Sequence, residues 1–199
     1  MNVSVETMEF DYQSVGAPAA PVSIGNDVGV RAVAAALPPR TCDLGELQRG
    51  GLLVSDPVVL NELGFEKVHV CDAAHDVNWL ASESARRAMT YAEVEPAEID
   101  VLMWASALSE RHVQGSDLAQ GMPIEELLGR FNYRASWLQE ELDLDNARVM
   151  GVAQQGCAGM FSALSTAHAL LVSDPSLRNV LCVGVDACQK PLLGRFSTI

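Results

Sequence analysis

From residue 149 to residue 173 the chain carries no Asp, Glu, Lys or Arg. A run of that length and character has two homes, the inside of a fold or a lipid bilayer. Gln154, Gln155, Ser162, Ser165, Thr166 and His168 interrupt it and glycines crowd its start, which favours a soluble core over a membrane span. The residues pass from strand-like to helix-like, with Gly156, Cys157, Ala158 and Gly159 at the change. The run is therefore expected to form a strand over residues 147–154 and then a helix over 156–172. That helix, apolar on every side, is expected to be buried almost all round.

This reading puts a thiol at a helix start. The first N–H groups of a helix have no intrahelical partners and the dipole is positive there, so a cysteine at that point favours its reactive thiolate form. The flanking glycines let the backbone turn sharply and approach a bound group closely. Cys157 is thus the candidate nucleophile, at the bottom of a pocket. The competing reading is an inert cysteine packed in a core.

Composition narrows the field. The chain has 199 residues and a hydrophobic fraction of 49%, enough for one domain with a real core. With 26 acidic against 13 basic residues its net charge is −13, a poor match for phosphate backbones, so nucleic acid is not an expected partner. Five cysteines, without a CxxC pair and without a basic-then-apolar leader at Met1, suggest neither a disulfide framework nor secretion. A reducing cytoplasm is the expected setting.

Residues 1–27 mix Pro18, Pro21, Gly16 and Gly25 without a sustained period and read as an N-terminal tail or covering arm. Residues 28–37 are small and β-branched and stop at Pro38-Pro39, which fits a first strand. A short helix is expected over 44–49, and another after Asp56-Pro57, where Asp56 suits a cap and Pro57 the first turn. Residues 63–70 read as a turn running into a short extended piece. Trp79, Leu80, Ser84, Arg87, Ala88 and Tyr91 recur at helical spacing over 78–91. Residues 99–105 and 179–185 are compact apolar runs that read as buried parallel strands, with a short helix over 135–142 and an irregular stretch over 115–133 between them. Strands alternating with helices point to an α/β layer with a parallel sheet.

A thiolate that attacks an acyl group needs a proton acceptor and donors for the developing oxyanion. His168 returns to the face of Cys157 eleven residues on, but at 1.5 Å per residue it lies roughly 16 Å away and reads as a core histidine. His69, His75 and His112 fall in loops or at element ends, where sequence alone fixes no distance to Cys157. Cys71 and His75 have a ligand-like gap, yet a closed zinc site needs about four ligands and no second pair stands nearby, so no metal is expected. Cys182 and Cys188 read as packing residues. Glu140, Glu141, Asp143 and Asp145 look like a solvated helix end, and Arg86-Arg87 a surface helix face rather than a steering patch for an anionic carrier.

Taken in order, the segments 30–38, Leu63-Gly64-Phe65-Glu66-Lys67, 80–86, 99–105, 137–142, Gln155-Gly156-Cys157-Ala158-Gly159-Met160 and 180–186 resemble the first half of β-ketoacyl-acyl carrier protein synthase III and related thiolase-fold enzymes. The resemblance covers almost everything after Gly29. Cys-Ala-Gly-Met looks like the family's Cys-Ser-Gly-Phe nucleophile segment, so by that match Cys157 is the acyl-accepting residue. Lys67 stands where the family has an arginine, and the 115–133 stretch is longer than the usual connection. Both departures bear on contacts to coenzyme A.

The resemblance implies a thiolase-like half over residues 28–199, a mixed, mainly parallel sheet with helices on both faces. It would complete a five-layer αβαβα sandwich with a second half that this chain does not contain. That complementary C-terminal half, a partner in a homo- or hetero-oligomer, would supply the catalytic histidine and an asparagine or second histidine. The activity implied is acyl transfer of the ketosynthase III type, active only with that half. An acyl-thioester would form on Cys157 from acyl-coenzyme A or an acyl carrier protein, with no permanently bound cofactor. It would then pass by decarboxylative condensation to a malonyl-derived carbanion, or to an alcohol or amine. Independently, a helix apolar on all sides cannot be covered by one sheet, so the chain alone is expected to expose an apolar patch. Two other classes stay open: a non-catalytic partner that shapes a complete enzyme, and a Cys-His hydrolase with His69, His75 or His112 beside Cys157.

Overall fold

The computed structural model describes residues 28–53, 55–107 and 133–186, together with Pro123 and the backbone of Val22 and Ser23. His112, Cys188 and nearly all of the 1–27 and 115–133 stretches lie outside the described residues. The strands are β1 Val22–Ser23, β2 Gly29–Val30, β3 Thr41–Asp43, β4 Lys67–His69, β5 Val101–Ala105, β6 Arg148–Val152 and β7 Val180–Gly184. The helices are α1 Leu44–Arg49, α2 Pro57–Glu62, α3 Val77–Ala92, α4 Arg134–Glu141 and α5 Gly159–Ser173.

The core is a three-stranded parallel sheet in the order β6-β5-β7, with Met103 opposite Met150 on one side and Cys182 on the other. All five residues of β5 are buried, because a central parallel strand is covered on both faces. Its alternation sorts the two layers. Leu102 and Trp104 enter a cluster with Leu80, Ala85 and Met89 of α3 and Leu138 of α4. Val101, Met103 and Ala105 pack on Ala163 and Ala167 of α5. Two antiparallel pairs, β1 with β2 and β3 with β4, lie outside the main sheet. The second covers α1 through Cys42, Leu44 and Leu47.

Local chemistry places the helices where the sequence predicts them. Asp43 caps α1 by accepting from the N–H of Glu46 at 2.6 Å, and Asp56 caps α2 from Val58 N at 2.8 Å, with Pro57 in its first turn. Asp76 caps α3 through both Asn78 N and Trp79 N, so this helix starts one residue earlier than its apolar period indicates.

The first segment departs from expectation. Residues 31–37 alternate between exposed and half-buried as a strand would, but only Gly29–Val30 forms a ladder, and with Val22–Ser23 rather than the main sheet. Arg87 donates to the Ala35 carbonyl at 3.1 Å and the Pro38 carbonyl lies 2.6 Å from His69 Nδ1, which fixes the far end of the segment. Between it and the outer edge of β7 lies a cavity of about 1050 Å³, lined also by α3 and α5.

The expectation of a helix buried almost all round is not met within this chain. The sheet covers one small-residue stripe of α5, Gly159, Ala163 and Ala167. Phe161, Leu164 and Val172 are 73%, 40% and 42% exposed. Gly156–Ser173 is long and apolar enough to cross a membrane by length and composition, yet its small stripe is packed on strands. The second half of the expectation, an apolar face left open, is what the chain presents.

Candidate functional site

Because α5 follows β6 directly, its first turn stands at the carboxyl ends of the parallel strands, where open α/β sheets hold their ligands. The backbone arrives there through an unusual turn. Gln154 and Gly156 both take left-handed conformations, with φ of 63° and 52°, around Gln155 at φ −105°. Glutamine in that region is uncommon and carries a conformational cost that tends to be kept at functional turns. A single 3₁₀ turn, Gly156–Ala158, then leads into α5. Cys157 is the middle residue of that turn and is exposed, as a free thiol.

The turn rests on the ends of two strands. A Cβ on Gly159 would meet Ala105 Cβ at 3.6 Å, and the methyl of Met160 lies over Gly184. Both helix starts lack a side-chain cap, and the N–H of Ala158 donates to the Gln155 carbonyl at 3.1 Å. The hydroxyl of Ser162 faces Gln155 Oε1 at 3.4 Å, a loose contact. At the same edge, Asp186 accepts from Ser106 Oγ at 2.7 Å and from the N–H of Ala107 at 2.8 Å.

The other candidates scatter. His75 pairs with Asp72 at 3.0 Å and meets Trp79 edge-on, with ring centroids 4.8 Å apart. The N–H of His75, more than any other contact, holds the Asp72 carboxyl below its usual range. This pair stands before α3, across the sheet from α5, and the histidine ring is already engaged. His69 is bonded to Pro38 and His168 is half-buried three turns along α5. None of the three is brought to Cys157 by these contacts, so a self-contained Cys-His hydrolase finds no support in His69 or His75; His112 lies outside the described residues. Among the described residues no group of three or more His, Cys, Asp or Glu is placed to hold a metal. Burial pushes the Cys182 thiol up to about 11, which marks it as a packing residue.

Arg86 binds Glu141 at 2.7 Å and Arg87 binds Glu83 at 2.7 Å, so both arginines belong to a surface helix face. Two features escaped sequence reasoning. The Asp72–His75 pair leaves only a D-x-x-H spacing, and the Asp186–Ser106 bond joins residues 80 apart, with no local signal.

No family model matches the chain. It is similar to β-ketoacyl-[acyl-carrier-protein] synthase III of Neisseria meningitidis serogroup C, at 26% identity over 136 residues, 68% of this chain and 37% of that protein. The chain thus spans well under half the length of that relative. Among solved structures it is similar to 3-oxoacyl-[acyl-carrier-protein] synthase III from Aquifex aeolicus, with a TM-score of 0.60, 18% identity and coverage of 77% of this chain and 42% of that one. It is also similar to the acyltransferase ChlB3, with a TM-score of 0.62, 23% identity and coverage of 84% and 45%. The chain has the thiolase-type fold of the ketosynthase III enzymes and corresponds to the N-terminal half of such a protein.

Proposed function

We propose that this chain is the nucleophile-bearing half, residues 28–199, of a ketosynthase III-type acyltransferase, with residues 1–27 as an arm outside it. One observation carries the reading: an exposed thiol, Cys157, in a strained glycine turn at the carboxyl edge of a parallel sheet. The Cys157 thiolate attacks the carbonyl carbon of an acyl-thioester on coenzyme A or a carrier protein. The N–H of Cys157 and a donor from the facing half hold the oxyanion. The C–S bond to the carrier then breaks, the carrier thiolate takes a proton, and an acyl-thioester remains on Cys157. Decarboxylation of a malonyl-thioester releases CO₂ and leaves a carbanion that attacks the acyl carbon, and the Cys157 thiolate departs. An alcohol or amine acceptor would use the same acyl-enzyme.

The complementary half supplies the histidine and the asparagine or second histidine of this chemistry, in a reducing cytoplasm, with no resident cofactor. The open apolar face of α5, with Phe161, Leu164 and Val172, is where that half would sit. Among the described residues, His69 is bonded to Pro38 and His75 to Asp72, and neither competes for the role.

Intact-mass measurement of the protein co-expressed with its complementary half, after incubation with an acyl-coenzyme A, tests the reading. One acyl group on Cys157, absent from Cys157→Ala and from the isolated chain, is expected. Labelling of another cysteine, or none in the complete complex, overturns it, and the latter result leaves a non-catalytic subunit.

A further inference from the structure

We infer that Asp186 is a positioning residue for the acyl-transfer site, fixing the rim over which a thioester reaches Cys157. The inference rests on the acyl-transfer reading above. The floor of the nucleophile turn is made by the last residues of β5 and β7, Ala105 under Gly159 and Gly184 under Met160. One residue beyond the first and two beyond the second stand Ser106 and Asp186. The carboxylate spends both oxygens there: Oδ1 accepts from Ser106 Oγ at 2.7 Å and Oδ2 from Ala107 N at 2.8 Å.

These bonds are not needed to align the strands. Five ladder pairs set the register of β5 against β7, and Val185 N donates to the Ala105 carbonyl at 3.1 Å. Asp186 acts on what lies past the sheet, Ser106 and Ala107, and so fixes the end of β5 at the edge where Ala105 supports the nucleophile turn. A carboxylate accepts from both donors at once; an asparagine can hold the Ala107 N–H only if its NH₂ turns to Ser106 Oγ, which must then accept, whereas an alanine removes both bonds. Being exposed, Asp186 contributes little burial, so its effect falls on rim geometry rather than on the core.

The test uses the protein assembled with its complementary half and compares wild type with Asp186→Ala and Ser106→Ala. Three quantities are read: acylation of Cys157 by acetyl- and octanoyl-coenzyme A, alkylation of Cys157 by iodoacetamide, and hydrogen exchange at the Ala107 amide. Asp186→Ala is expected to lower acylation kcat/KM by about tenfold or more, since sub-ångström misplacement of a reacting partner is costly. It should also speed Ala107 exchange, while alkylation by the small probe stays within about twofold and Tm within about 2 °C. Ser106→Ala keeps the Ala107 bond and should show a smaller loss. Wild-type acylation rates in Asp186→Ala overturn the inference, as does a parallel fall in acylation, alkylation and Tm, which would mark a purely structural residue. A wild-type complex that is not acylated removes the acyl-transfer reading and this inference with it. Normal wild-type acylation with an unaltered variant removes this inference alone.

Discussion

Met160 closes over Gly184: a Cβ on that glycine would lie 2.6 Å from the Met160 methyl and 3.8 Å from its Cβ. The strand end and the helix start touch because one of them has no side chain. The clash in Gly184→Ala falls on the tip of a flexible chain, so Met160 shifts instead of the backbone, and a loss of about 1 kcal/mol is expected. Met160→Ala should remove most of that penalty. A double-mutant cycle by chemical denaturation reads the coupling, and additive effects would show that the two residues do not meet.

Gly156 has nothing within 4 Å of its missing Cβ but a φ of 52°. Gly156→Ala therefore carries conformational cost without a clash, and a loss of about 1–2 kcal/mol is expected from the left-handed backbone. Gln154→Gly should move stability the other way, by a few tenths to about 1 kcal/mol. Denaturant midpoints at constant slope check both.

Cys182 makes stability fall at alkaline pH. Its thiol ionises near 9.0 when exposed and about 11 in the fold, where burial penalises the charged form. Between those values the unfolded chain has lost a proton that the native state keeps, so unfolding becomes easier as pH rises. The contribution is fully present below pH 9 and largely gone by 11. Relative to wild type, Cys182→Val should lose about 2 kcal/mol less between pH 8 and 10.5, as read by urea titration at both values.

The outward face of α5 should make the isolated chain adhesive. Phe161, Leu164 and Val172 lie exposed on one helix, and contiguous apolar surface of this kind associates or binds dyes. Sedimentation is expected to show self-association together with fluorescence of a hydrophobic dye. Phe161→Glu with Leu164→Gln should reduce both and weaken pairing with the complementary half. A monodisperse, dye-negative wild-type monomer would count against a covered face.

What the sequence disclosed follows the range of each interaction. Asp43, Asp56 and Pro57 announce their helices because a cap acts over three residues. The run over 99–105 shows a buried strand because central strands are apolar on both faces. Cys157 was legible as a thiol at a helix start, since glycines crowd it, but its exposure and the left-handed Gln154 were not. In residues 28–37 the alternation was readable and the ladder partner was not, because pairing is decided by chain far away. The side of α5 covered by the sheet was hidden for another reason. When nearly every position is apolar the hydrophobic period vanishes, and only the spacing of Gly159, Ala163 and Ala167 hints at the packed stripe. The bond from Asp186 to Ser106 spans 80 residues and leaves no trace in either neighbourhood.

The helix that carries the thiol turns its smallest residues toward its own sheet and its bulkiest toward whatever lies outside. On the acyl-transfer reading, part of the insulation around Cys157 would therefore be borrowed from that outer layer. Dilution that strips the borrowed layer would rehydrate the nucleophile and silence it, so catalytic competence would track assembly by mass action rather than the folding of this chain alone.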